Sequence, residues 1–286
     1  AAANVLAAMT KLGEHTAFIG KVGNDMHGRF LKETLENVGI DTTGLVLSDD
    51  FFTTLAFVAL SPNGERTFSF ARKPGADTQL TVEEVNHTIL KSTGILHIGS
   101  LSLTDEPARS ATHSAVKAAK SAGAVISYDP NYRASLWKDE ATAKARMREL
   151  LPYIDVMKLS DEETTLLTDE TEPEQAARRL NEKGVHCVAV TLGKKGAFVS
   201  INGISEFVQG YPIPAIDTTG AGDAFWGGFL HRMVALKKRP DQLVLTEAID
   251  CAEWGNAVAT CCVQKRGAIP AMPSVEDVLS LVNPNT

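Results

Sequence analysis

Between residues 90 and 208, short apolar runs alternate with stretches whose apolar positions recur every three or four residues. The runs at 95–98, 124–128, 155–159 and 187–192 predict strands, and the stretches at 106–121, 140–150 and 173–183 predict helices. Two further runs, 196–201 and 204–208, follow with no helix between them. This order predicts an α/β domain with a central, mostly parallel sheet flanked by helices on both faces. Ligands of such sheets bind beyond the carboxyl ends of the strands, where Asp129, Ser160, Thr191 and Asp217 fall.

Residues 45–70 break the alternation. Two β-rich runs, 53–60 and 66–70, flank Ser61-Pro62-Asn63-Gly64-Glu65, and Leu55, Phe57 and Ala59 alternate with their neighbours. The pattern predicts a β-hairpin over 45–70, inserted in a single domain that spans 1–286. A hairpin with one apolar face needs cover from a ligand, from the main domain or from a second copy of itself.

Composition narrows the class. At 286 residues with 44% hydrophobic content, the chain can bury one substantial core. A net charge of −7 without a basic stripe excludes a general nucleic-acid binder. No apolar run approaches the length of a membrane span, and residues 1–12 lack a secretory pattern. Cys187, Cys251, Cys261 and Cys262 have no zinc spacing, which suits reduced packing residues in a cytoplasmic protein. No two histidines have metal-ligand spacing, and His97 and His113 are expected to pack or lie on the surface.

The chemistry concentrates at Asp217-Thr218-Thr219-Gly220-Ala221-Gly222-Asp223, which runs into the apolar stretch 224–230. Gly220, Ala221 and Gly222 let backbone N–H groups approach an anion, and the helix they open turns its positive end toward the same spot. Asp223 in the first helical turn puts a proton acceptor beside that cradle, as phosphoryl transfer to an alcohol requires. A plain helix start, with Asp223 complementing the dipole, is the structural alternative. Gly193-Lys194-Lys195-Gly196 lacks the spacing of a phosphate-binding P-loop, and no dinucleotide fingerprint follows a strand. Asp129, Asn131 and Arg133 stand at alternate positions around Pro130, so an extended segment would aim all three into one cleft; a turn stabilised by Asp129 and Asn131 is the alternative. Ser160 with Glu163 reads as a helix capping box.

The stretch from Asp217 to Leu230 resembles the C-terminal signature of the PfkB family of sugar kinases, and the resemblance runs from Asn4 to about Pro273 with the motifs in order. It implies a ribokinase-like fold with a small β-sheet lid made by the hairpin, a homodimer through that lid, ATP and Mg2+ as cofactors, and K+ as a further cation. By resemblance Asn4 binds the sugar together with Asp129, Asn131, Arg133 and Asp223, while Thr191, Gly193, Gly196, Gly220, Gly222 and Asn256 face the nucleotide. Glu163 is implied in organising hydrated magnesium, and Asp217, Thr219 and Gly267 in a monovalent-cation site. Leu6 and Ser160 depart from the family pattern, which has a small residue and an asparagine there. A glycine pair and a strand with a sugar-binding aspartate are expected ahead of Ala1. Asp129 to Arg133 resemble fructokinases and 2-keto-3-deoxygluconate kinases more than ribokinases, and the hairpin with Lys73-Pro74-Gly75-Ala76-Asp77 resembles both fructokinases and aminoimidazole riboside kinases; fructokinases are common to both resemblances, implying D-fructose as substrate. Aminoimidazole ribosides, 2-keto-3-deoxygluconate and ribose remain open on the same chemistry, as does a sensor without turnover.

Overall fold

The computed structural model describes residues 1–60 and 66–282, so the hairpin turn expected at 61–65 lies outside the described residues. Helix α1 (Ala2–Lys11) leads to strand β1 (Ala17–Gly23), helix α2 (Met26–Val38) and strand β2 (Asp41–Ser48), which pairs parallel to β1. Strands β3 (Leu55–Leu60) and β4 (Arg66–Ala71) pair antiparallel, with Leu55 opposite Ala71 and Phe57 opposite Ser69. The expected boundary at residue 45 is therefore corrected: residues 45–48 are the end of β2, tied to β1, and the hairpin begins at Leu55. Strand β1 itself escaped the pattern, since Gly20, Lys21 and Gly23 dilute its apolar character.

Both roots of the hairpin are anchored. Asp25 caps α2 by accepting from the Gly28 N–H, and it also accepts from the Thr53 N–H and hydroxyl just before β3. Burial opposes the charge, but the hydrogen bonds from Thr53 and Gly28 hold the Asp25 carboxyl down at about 2. After β4, the buried Arg72 guanidinium donates to Asp77, to the Thr104 hydroxyl and to the Leu101 carbonyl.

Helix α3 (His87–Ser92) precedes the main sheet, which is assembled by β5 (Ile95–Ile98), α4 (Ala108–Ser121), β6 (Val125–Tyr128), α5 (Glu140–Arg148) and β7 (Val156–Ser160). It continues through α6 (Thr164–Thr168), α7 (Pro173–Glu182), β8 (Cys187–Thr191), β9 (Gly196–Ile201) and β10 (Ile204–Gln209). The spatial order is β10-β9-β8-β7-β6-β5. Strands β5 to β8 run parallel and β9 and β10 antiparallel, so the expected mostly parallel sheet is found. Helices α8 (Ala221–Ala235), α9 (Leu245–Val263) and α10 (Val275–Val282) complete the chain.

Strand residues alternate between two cores. Met157 and Leu159 pack with Val116, Met147 and Leu180 from α4, α5 and α7, whereas Val156 packs with Val5, Trp226, Phe229 and Cys251 from α1, α8 and α9. Every buried strand is thus apolar on both faces, and a polar residue inside one needs a reason. A cleft of about 630 Å³ separates β1 from β5, with Ile19, Leu96, Ile98 and Asn131 among its walls.

Candidate active site

The β-strands of the parallel run end on one side, and α8 begins there. Gly220, at φ 79, is the N-cap residue of α8 and has no side chain with which to cap it. Of the helix's first-turn N–H groups, that of Ala221 donates to the Thr218 carbonyl at 3.2 Å, which leaves those of Gly222 and Asp223 for an anion. A Cβ at Gly220 would strike Ala268 at 2.8 Å, so glycine is required both by conformation and by space.

Asp223 is buried in the first turn of α8, and its Oδ2 accepts a 2.7 Å hydrogen bond from Asn4 Nδ2 of α1. The two residues meet because α1 lies hard against α8: a Cβ on Gly227 would sit 2.5 Å from the Ala8 Cβ. On the other side, Gly228 faces Val258 and the Trp254 carbonyl of α9. These helix glycines serve packing, not phosphate binding. Three residues beyond Asp223, Trp226 Nε1 donates to Ser127 Oγ of β6, which also meets His97 Nδ1 of β5. Burial drives His97 down to about 3, so this network is neutral at physiological pH. It fixes α8 over the sheet.

Asp129, at the end of β6, is buried and paired with Lys158 of β7 at 3.1 Å. Burial, against the pull of Lys158 and with the push of Glu163 and Asp223, raises the Asp129 carboxyl to about 6. For Lys158, burial works downward, but Asp129, Glu163 and Asp223 outweigh it and the ammonium is held above its ordinary value. The expected extended geometry of residues 129–133 does not hold. Asn131 adopts φ 47, and its N–H donates to Asp129 Oδ1, so the chain turns there. Asn131 borders the β1–β5 cleft, while Arg133 is exposed with its guanidinium on the Tyr132 carbonyl and does not join Asp129.

Ser160 and Glu163 form the capping box: the Ser160 N–H and hydroxyl both donate to Glu163 Oε2, at 2.9 and 3.0 Å. The Tyr132 N–H donates to Oε1 at 2.6 Å, so Glu163 also clamps the loop after β6. Asp217 gathers the residues of the expected cation site, accepting from the Thr219 N–H and hydroxyl through Oδ1 and from the Gly267 N–H through Oδ2. Thr191 ends β8 and donates to the Leu159 carbonyl, and Gly193, at φ 56, starts the turn into β9. Gly196 is required by contact, since a Cβ there would lie 2.0 Å from the Val208 carbonyl. Asn256 is buried in α9 and spends its amide on the Val208 and Gln209 carbonyls, which makes it a clamp on β10.

Two residues that the sequence reading left out stand in the site, Lys158 and Ser127. The signal for Lys158 was available: a lone lysine inside the apolar run Val156-Met157-Lys158-Leu159.

A glycine-rich helix start, a buried acid within its first turn and a second acid beside a lysine define an enzyme that moves a phosphoryl group onto a hydroxyl. The comparisons agree. The profile of the pfkB family carbohydrate kinases matches residues 1–275. The sequence is 40% identical over 287 aligned residues to probable fructokinase-5 of Arabidopsis thaliana, across 99% of this chain and 87% of that protein. The fold matches fructokinase with bound ATP from Xylella fastidiosa with a TM-score of 0.92 and 31% identity, over 99% of this chain and 89% of that one. It matches fructokinase from Vibrio cholerae O395 in its fructose, ADP and calcium ion bound form with a TM-score of 0.88 and 33% identity, over 97% and 89%. The chain belongs to the pfkB family of carbohydrate kinases. The ribokinase-like fold expected from the sequence is the fold found.

Proposed function

We propose that the protein transfers the γ-phosphoryl group of ATP to the primary hydroxyl of D-fructose, giving fructose 6-phosphate. The observation that carries this reading is the Asn4–Asp223 hydrogen bond at the start of α8. Asp223 takes the hydroxyl proton, and Asn4 orients the carboxylate toward the sugar. The backbone N–H groups around Gly220, Ala221 and Gly222 bind the charge on the transferring group. Asp129 and Asn131 bind sugar hydroxyls, with Arg133 at the rim. Thr191, Gly193 and Gly196 flank the nucleotide, and Asn256 acts on it through the β10 backbone it holds. The hairpin covers the sugar and keeps water from the phosphates.

Magnesium would arrive with the phosphates. Among the described residues no three His, Cys, Asp or Glu side chains lie close enough to cage a metal ion, which suits a hydrated ion carried by ATP. A carboxylate has about four lone-pair sites. Three donors from Tyr132 and Ser160 occupy Glu163, so one site remains for a water of that ion. When bound, the ion neutralises phosphate charge. Asp217, Thr219 and Gly267 would frame a monovalent cation beside the cradle. Replacing K+ by choline should then lower turnover, and an unchanged rate removes that site.

Two outer statements belong to the same proposal. Phe57 is exposed on β3, and the hairpin strands pair only with each other among the described residues, so the hairpin is proposed as the contact of a homodimer. Light scattering should give twice the chain mass, and Phe57→Asp should move it toward the monomer; a wild-type monomer at micromolar concentration removes the pairing. The four cysteines are free, three of them buried, which fits a reducing cytoplasm. Among the described residues no helix is long and apolar enough to cross a membrane.

The test is sugar-dependent ADP formation with MgATP across D-fructose, ribose, adenosine, 2-keto-3-deoxygluconate and an aminoimidazole riboside. Fructose should give the highest kcat/KM. Another sugar exceeding it tenfold, about 1.4 kcal/mol, overturns the substrate, and no turnover with any sugar overturns the activity.

A further inference from the structure

Lys158 is the one lysine of the buried strand β7, and its position on the strand decides which way it faces. Val156 lies in the core shared with α1, α8 and α9, Met157 and Leu159 in the opposite core. Period two then puts Lys158 on the α8 side. A Cβ at Gly222 would sit 3.0 Å from Lys158 Nζ and 3.6 Å from its Cε, so the ammonium lies directly against the first turn of α8. An ammonium has three N–H donors. Asp129 Oδ2 is the one acceptor it meets among the described residues, which leaves two donors beside Gly222.

The surrounding charge explains why a cation is needed there. Asp129, Glu163 and Asp223 all act on Lys158, and an anionic phosphoryl group entering among three carboxylates would meet strong repulsion. A helix dipole supplies only about half a positive charge. A buried, permanently charged ammonium supplies a full one.

We propose that Lys158 is a further catalytic residue, whose ammonium touches the γ-phosphoryl group as it passes from ATP to the sugar. The inference rests on the kinase reading above. In the step, the bond from the γ-phosphorus to the bridging oxygen breaks and its electron pair leaves with ADP. The sugar oxygen forms the new P–O bond, and the hydroxyl proton goes to Asp223. Lys158 keeps its protons throughout and hydrogen-bonds the equatorial phosphoryl oxygens. Glycine at 222 gives the ammonium this room, since a Cβ there would press on it at 3.0 Å.

The decisive measurement compares the affinities of two magnesium nucleotides, AMP-PNP and ADP, which differ by the terminal phosphoryl group. In Lys158→Met, AMP-PNP should bind at least tenfold more weakly while ADP changes less than threefold, and kcat should fall roughly 10²- to 10³-fold. Equal losses for both nucleotides, or no loss, would overturn the assignment and leave Lys158 as the partner of Asp129 alone. Because Lys158→Met leaves Asp129 buried without its cation and can unfold the chain, the same ratio is measured for Asp129→Asn/Lys158→Met against Asp129→Asn. The binding ratio needs no sugar. A protein that proves inactive on fructose but loses AMP-PNP selectively would discard the substrate and keep Lys158.

Discussion

Glu163 and Asp223 are both acids in the first turn of a helix at the carboxyl edge of the sheet, and both are buried, at 6% and 9% exposure. Burial therefore does not separate them. Their partners do: among the described residues Glu163 receives three hydrogen bonds, whereas Asp223 receives one, from a side chain on a distant helix. Glu163 is held by the chain as a brace between β7 and the loop after β6. Asp223 keeps acceptor capacity at a helix start whose N-cap glycine has no side chain to offer. A carboxylate is free for chemistry to the extent that the fold leaves its lone pairs unused.

The largest test of that contrast is Asp223→Asn. The amide keeps the volume and an acceptor for Asn4, so folding and nucleotide binding should survive. Turnover should drop roughly 10²- to 10⁴-fold, the range for losing a positioned general base. A variant with more than about half the wild-type kcat removes the base from Asp223 and leaves the contrast without a functional side.

Asp129 offers the next test, because Lys158 joins it to both regions. Its ordinary carboxyl value is 3.8, and burial raises it to about 6 in the folded chain. Between those values the native state holds a proton that the unfolded state has released. The contribution of this carboxyl to stability is thus greatest below about pH 4, falls as pH rises through 6, and levels off above. At about 1.4 kcal/mol per pKa unit, the loss is on the order of 2 to 3 kcal/mol. Urea denaturation from pH 4 to 7 should show this slope in the wild type and a flatter one in Asp129→Asn. Identical slopes would place the burden on another group.

The parallel strands β5 to β8 were legible because each is a short apolar run between helical periods, and such periods are local. Strand β1 was not, since Gly20, Lys21 and Gly23 interrupt its apolar run. In the site, Gly220 and Asp223 were legible from a contiguous motif, and the capping box from its spacing. Asn4 entered the site only through family resemblance, and its contact with Asp223, which spans 219 residues, was not legible in the sequence. Arg133 was misplaced because a left-handed Asn131 bends a segment assumed extended. Lys158 was overlooked because a strand pattern records apolar runs and treats one interruption as noise.

The smallest expected effect belongs to Glu163→Gln, and it is the sharpest probe of the brace. The Tyr132 N–H, the Ser160 N–H and the Ser160 hydroxyl all point at carboxylate oxygens. A glutamine keeps one oxygen, presents an NH2 group to a donor on the other side, and removes the charge that strengthens all three bonds. Stability should fall by about 1 to 3 kcal/mol, read from urea midpoints at constant slope. Turnover at saturating magnesium should stay within about tenfold of wild type, with a higher magnesium requirement if the fourth lone pair holds a water of the hydrated ion. The opposite pattern, unchanged stability with a collapsed kcat at every magnesium concentration, would mean that three internal hydrogen bonds do not disqualify a carboxylate from chemistry. Glu163 would then stand beside Asp223 as a catalytic group, and partner count would fail as the measure that separates the two.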